Sequence, residues 1–261
     1  MSRSTYYYHV KQMDRPDKYA MVKQEITAIY KENRKRVGYR RITLELRNRG
    51  YTINHKTVQR LMRELGLFCR VRMKKYNSYR GDLGEIVPDL LQRNFYATAP
   101  NEKWVTDITE FSLFGQKLYL TPILDLYNQE IVSYSISNRP RFSQVSDMLE
   151  KAFCKIPDGT NLILHSDQGW QYQMKPYQRA LKEKGIRQSM SRKGNCLDNA
   201  VMENCFGTLK SELLYLQNFS SMEHFVQELT DYLDYYNNRR IKSKLKGMCP
   251  VQYRLHTLQI A

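Results

Sequence analysis

Apolar positions recur with a helical period over the first 66 residues and lose it between Phe68 and Pro100. They alternate as in strands from Lys103 to Ser137, and thereafter switch between the two periods. The first region reads as three helices. One carries Met21, Val22, Ile26, Ile29 and Tyr30 and stops near Val37-Gly38; the second is Tyr39–Asn48, with Ile42, Leu44 and Leu46 among basic residues and Gly50 as its C′ residue. Asn54 caps the third, His55–Leu65, in which Val58, Leu61, Met62 and Leu65 form an apolar face and His55, Lys56, Gln59, Arg60 and Arg63 stay outside. A helix, a short turn and a basic helix describe equally well a DNA-reading unit with its third helix in a major groove and a small basic bundle.

The strand-like region divides into Lys103–Leu113, Lys117–Tyr127 and Glu130–Ser137, an antiparallel meander with turns at residues 114–116 and 127–129. A helix over Arg141–Lys155, a buried strand over Asn161–His165, a helix over Lys175–Lys184, a strand over Ile186–Met190 and a helix from Asn199 to Leu216 follow. The order βββαβαβα predicts a mixed five-stranded sheet of the α/β class behind a small all-α domain. The expected parts are 1–67 helical, 68–99 basic linker, 100–216 catalytic core, and 217–261 a helix (Met222–Asn238) with a basic tail.

In the Asn199–Leu216 helix, Met202, Cys205, Phe206, Leu209, Leu213 and Leu216 fall on one stripe, and Asn199, Glu203, Gly207 and Lys210 on a second along its edge. The second stripe is either an ordinary Glu–Lys surface or a carboxylate anchored beside a packed face, with Gly207 keeping its approach open. Asp107 lies within the first strand and Asp167 at the carboxyl end of the buried one, where open α/β sheets collect ligands. Should the strands be neighbours and the helix cross them, Asp107, Asp167 and Glu203 converge. Such a cluster repels itself unless cations occupy it, and hard oxygen donors suit Mg²⁺ or Mn²⁺; two ions about 4 Å apart would serve phosphoryl transfer. Glu110, Asp125, Asp198 and Glu212 compete for these roles, and spacing does not choose among them.

Charge narrows the substrate. Lys+Arg 42 against Asp+Glu 26 leaves +16, which favours a polyanion, nucleic acid first. No apolar run approaches the roughly 20 residues of a membrane helix and no signal peptide opens the chain, so no membrane role and a cytoplasmic location are expected. The stretch Phe68–Arg80, with Arg70, Arg72, Lys74 and Lys75, either tracks a phosphate backbone or is a solvated charge run. The five cysteines form no Cys-x-x-Cys pair and read as reduced packing residues. Tyr6, Tyr7 and Tyr8 point in different directions on any regular element and have no Arg/His cluster around them, which argues against a tyrosine nucleophile. His165 reads as a packing residue, and Trp170 and Tyr172 either stack on bases or lid the core.

The motifs WVTDIT around Asp107, LHSDQGWQY around Asp167 and DNAVMENCFGTLKSE around Glu203 resemble those of the DDE transposase and retroviral-integrase superfamily. Between Asp167 and Glu203 lie 203 − 167 − 1 = 35 residues, the family's second interval, and Lys210 stands seven after the glutamate, where the family carries a basic residue. SRSTYYY, GYRRITLELRNRGYTINHKTVQRLMRELGL and YYNNRRIKSKLKGMCPVQYR extend a similarity to the second-frame (OrfB) products of bacterial insertion sequences of the IS3 group over nearly the whole chain. The resemblance implies an RNase H-like core and a helix-turn-helix module. It further implies Mg²⁺-dependent cleavage and joining of DNA, with Asp107, Asp167 and Glu203 holding two ions and with Asn199, Lys210 and the basic residues of the third helix and linker on DNA. Expected partners are double-stranded transposon ends and target, further copies of the chain on DNA, and an upstream-frame (OrfA) product or fusion. A sequence-specific DNA-binding regulator built on residues 21–66 and an RNase H-like nuclease without strand transfer are the alternatives.

Overall fold

A computed structural model describes residues 2–7, 17–69 and 86–259, and it divides into two compact units, Met1–Val71 and Arg72–Ala261. Arg70, Arg72, Lys74 and Lys75 lie outside the described residues.

The first unit holds α1 (Ala20–Glu32), α2 (Tyr39–Asn48) and α3 (His55–Glu64). Their apolar faces close on one another through Ile26, Ile29, Ile42, Leu46, Val58 and Leu61, all fully buried. Leu44 is only half-buried, because the turn of α2 brings Thr43 inward instead. Asn54 caps α3 as its sequence suggests, its side chain accepting the Lys56 N–H at 2.9 Å. Arg49 ties the end of α2 to α1 by reaching Glu25 and Glu32 at 3.0 and 2.7 Å, and holds Glu45 of its own helix at 3.1 Å.

The second unit is built on a mixed sheet of β1 (Lys103–Thr106), β2 (Thr109–Leu113), β3 (Gln116–Asp125), β4 (Ile131–Ser137), β5 (Ile163–Ser166) and β6 (Arg187–Met190). The expected first strand is interrupted at Asp107-Ile108, so that β1 and β2 lie end to end along β3. β4 borders β3 on its other side, whereas β5 runs parallel to β1 and β6 parallel to β5. Successive residues face opposite layers, as the pleat requires. Trp104, Ile123 and Leu164 pack against α4 (Phe142–Phe153) and α5 (Lys175–Lys184), and Val105, Leu124 and Ile163 against α6 (Ala200–Leu209) and α7 (Met222–Asn238). This is the RNase H-like arrangement.

Two features differ from the periodicity. The helix expected to reach Leu216 stays regular only to Leu209 and then widens into a π turn, Lys210–Leu214, which buries Ser211, Glu212 and Leu213 in succession and leaves Leu216 outside. The C-terminal region is part of the core rather than an appendage. Phe225, Leu229 and Tyr232 of α7 share a cluster with the sheet, and the basic tail turns Arg240 and Lys242 inward before α8 (Pro250–Leu258).

Candidate active site

Asp107 occupies the gap between β1 and β2. The ladder with β3 keeps one register across that gap, Thr106 opposite Ile123 and Thr109 opposite Leu120, which places Asp107 opposite Pro122. Proline has no N–H to give a ladder. The Ile108 N–H donates to the carboxylate of Asp107, at 2.7 Å.

Asp167 follows β5, and the parallel register with β1 pairs Lys103 with Ile163, Trp104 with Leu164 and Val105 with His165. The offset of 60 carries on to Asp107 and Asp167, which therefore leave the carboxyl ends of adjacent parallel strands side by side. Neighbouring strands are about 4.8 Å apart, so two carboxylates in this position feel each other strongly. The Gly169 N–H donates to Asp167 at 2.9 Å, and a Cβ on Gly169 would stand 2.9 Å from the same oxygen, so this turn accepts glycine.

Burial holds the Asp107 carboxyl well above the usual carboxylate range; the charge of Asp167 and, more weakly, that of Glu203 push the same way against the Ile108 N–H and Lys210. Burial also raises Asp167 and Glu203. Among the described residues no lysine or arginine forms an ion pair with any of the three. Nor do three acidic, histidine or cysteine side chains gather closely enough to hold an ion unaided, so Glu203, half-buried on α6, flanks the pair rather than closing on it. Lys210 is half-buried two turns on, where the π turn begins, its ammonium 5.5 Å from the centre of the Phe111 ring; burial lowers its affinity for a proton while Glu110 and Asp107 raise it.

The competing acids are occupied elsewhere. Asp125 accepts the N–H groups of Asn101 and Tyr127 at 2.7 and 2.8 Å and the Trp104 indole at 3.3 Å. Asp198 is held by Arg192 and Arg93, each at 2.9 Å, which keep its carboxyl far below the usual range. Glu110 pairs with Lys117 at 3.1 Å, and Glu212 is buried under Arg240 and Tyr232.

The remaining expectations divide. Asn199 is not at the surface: it is buried, its amide toward the Thr106 carbonyl at 3.5 Å, because a 3₁₀ turn, Cys196–Asn199, tucks it under the end of β1, just before Asp107. His165 uses both ring nitrogens on Ser189 and Ser191, at 2.8 and 3.1 Å, as a packing residue does. Tyr172 is fully buried, while Trp170 is 48% exposed. In the helical unit Lys56, Arg60 and Arg63 are exposed and Gln59 is half-buried; Arg60 reaches Glu64 at 2.5 Å. Sequence reasoning did not find Arg240 and Lys242 as interior residues; the signal available was Glu212, an acid bordering the apolar stripe and in need of a buried partner.

With this geometry in place, comparison with known proteins assigns the chain. Residues 17–75 match an HTH-like domain, 97–196 an integrase core domain and 203–258 a second integrase core domain model. The chain is 57% identical over 255 residues to the transposase InsK of insertion sequence IS150 from Escherichia coli K12, covering 98% of this chain and 90% of that protein. It belongs to the insertion-sequence transposases of the IS3 group. The transposase InsF of IS3A from the same organism is 35% identical over 231 residues, 87% of this chain and 80% of its own. Membership makes the protein an enzyme of the polynucleotidyl transferase class that acts on DNA. The intasome of simian T-cell lymphotropic virus bound to a PP2A regulatory subunit superposes with a TM-score of 0.51 at 18% identity, over 88% of this chain and 74% of that one, a likeness of fold.

Proposed function

We propose that this transposase cleaves DNA at the ends of its insertion sequence and joins the freed 3′ ends to target DNA, with Asp107, Asp167 and Glu203 as the catalytic residues. The observation that carries the reading is the pair Asp107 and Asp167, half-buried side by side at the ends of adjacent parallel strands, with no ion pair to either among the described residues. An oxygen-only donor set of this kind, raised toward protonation by desolvation and, at Asp107, by the charge of its acidic neighbours, fits hard divalent cations, Mg²⁺ or Mn²⁺. Two such ions, when bound, supply activation of the attacking oxygen and stabilisation of the leaving one.

The side chains supply position and charge. Asp107 and Asp167 are fixed by the sheet and by the N–H groups of Ile108 and Gly169, so neither needs to reorganise as cations arrive. Glu203, on α6, would be the third ligand. Lys210, on the same side, holds a phosphate of the reacting end, and Asn199 sets where α6 starts relative to the strand. No side chain acts as nucleophile: water attacks first, and the DNA 3′-hydroxyl second. The helical unit binds the terminal DNA through Lys56, Gln59, Arg60 and Arg63, with Arg70, Arg72, Lys74 and Lys75 following the backbone. Joining two ends to one target calls for more than one copy of the chain on DNA, with an upstream-frame (OrfA) product or fusion adding to end recognition, in the bacterial cytoplasm.

The test uses duplexes bearing the element's own end, pre-cleaved at the 3′ strand, with a plasmid target and Mg²⁺. Joining products that vanish with EDTA are expected. Cleavage without joining indicates a nuclease, and binding without either indicates a regulator.

A further inference from the structure

The chain has two tryptophans, and they are treated oppositely. Trp104 is fully buried with its indole N–H on Asp125. Trp170 is 48% exposed, and among the described residues its ring takes part in no hydrogen bond or ring contact. It is not on a loose loop: the Gly169 N–H is held by Asp167, the Tyr172 N–H by the Gly169 carbonyl at 3.0 Å, and the Gln173 N–H by the Trp170 carbonyl at 3.3 Å. An exposed indole is thus fixed three residues from a half-buried acid.

Trp170 lines a slot whose other walls include Asp107, Asp167, Glu110, Tyr119 and Pro140. Beyond Asp107 and Asp167 the lining includes Glu110, already paired with Lys117, together with Tyr119, Pro140 and Trp170; no lysine or arginine lines it, so this part of the slot offers a phosphate backbone no cation. What suits it is neutral, flat and polar-edged. A phosphodiester placed at Asp107 and Asp167 carries such a group one nucleotide away, and aromatic faces are how proteins hold bases taken out of a helix.

We infer that this slot receives one unstacked nucleobase flanking the reacting phosphodiester, with Trp170 as its stacking face. The inference rests on the phosphoryl-transfer reading of the acids. It makes Trp170 a binding residue for a splayed DNA end, and it predicts that distortion of the duplex accompanies binding before any chemistry.

The test is a cycle between protein and DNA with the full chain and no divalent ion. Trp170→Ala and Trp170→Phe are titrated against the terminal duplex and against duplexes with a single abasic site at each position flanking the scissile phosphate. On intact DNA, Trp170→Ala binds roughly 5- to 150-fold more weakly, the range that one lost base stack produces, and Trp170→Phe regains most of it. At one position the abasic site abolishes the difference between wild type and Trp170→Ala, and there alone DNA no longer quenches the exposed-tryptophan fluorescence. A Trp170→Ala deficit that is the same with every abasic duplex, or no deficit with unchanged melting temperature, overturns the inference. Wild-type joining with Mg²⁺ on the same DNA separates the two readings: joining with a silent Trp170 sinks only the slot, whereas no joining sinks the catalytic assignment.

Discussion

Replacing Arg240 by Met tests whether the C-terminal tail holds the turn that ends α6. Glu212, in the π turn after α6, accepts Arg240 at 2.8 and 2.7 Å and the Tyr232 hydroxyl at 2.9 Å, and both charged side chains are under 9% exposed. Burial pulls the guanidinium's hold on its proton down; the hydrogen bonds and charge of Glu212 outweigh it and keep Arg240 firmly charged. Removing one partner leaves the other as an uncompensated buried charge, a loss of roughly 3–5 kcal/mol. For a unit of this size about 2–4 °C of melting temperature goes with each kcal/mol, so Arg240→Met should melt about 6–20 °C lower. Adding Glu212→Leu removes the orphaned charge and should recover most of that loss. Urea denaturation of wild type, the single and the double variant decides it. A single variant within about 1 kcal/mol of wild type, or a double variant less stable than the single, refutes the reasoning.

Three further outcomes follow from the same structure. Lys56→Ala with Arg60→Ala should reduce the slope of log K against log salt by about two in terminal-DNA binding, with little change in melting because the Arg60–Glu64 pair is exposed; an unchanged slope moves the phosphate contacts elsewhere. Lys210→Met keeps the contact with Phe111 but loses the charge, so crosslinking to the processed end should drop at unchanged melting temperature, and normal crosslinking removes Lys210 from the DNA interface. Asp107 and Asp167 hold protons in the folded state that the unfolded chain has already released, so without divalent ions stability should fall as pH rises from the unfolded carboxylate pKa of about 3.9 through their raised values; Mg²⁺ should flatten the fall and Asp107→Asn should stabilise the metal-free protein, whereas a destabilised Asp107→Asn contradicts it.

The helical unit and the strands were legible because burial there follows local periods: Val58, Leu61 and Met62 on α3, and Trp104 and Val105 on opposite faces of β1. The break at Asp107 was not, since alternation continues across it in unchanged register and its counterpart, Pro122, lies on another strand. A helical stripe likewise shows which residues share a face and not what covers that face. Asn199 and Glu203 share one, yet Asn199 lies under β1 and Glu203 stays half-open. Among seven acids, three were distinguished by motif alone; in the structure the other four are told apart by distant partners, Asp198 by Arg93 and Glu212 by Arg240. The π turn holds Glu212, whose partner Arg240 lies 28 residues on, beyond the reach of any local pattern.

The catalytic assignment is tested most directly by single-turnover joining of pre-cleaved ends at saturating Mg²⁺, with DNA binding followed in the same samples, for Asp107→Asn, Asp167→Asn and Glu203→Gln. Each substitution keeps the side chain's volume and removes the charge that holds a cation. All three should bind the end near wild-type affinity and join none of it; full joining by any one of them would contradict that residue's place at the centre of the account.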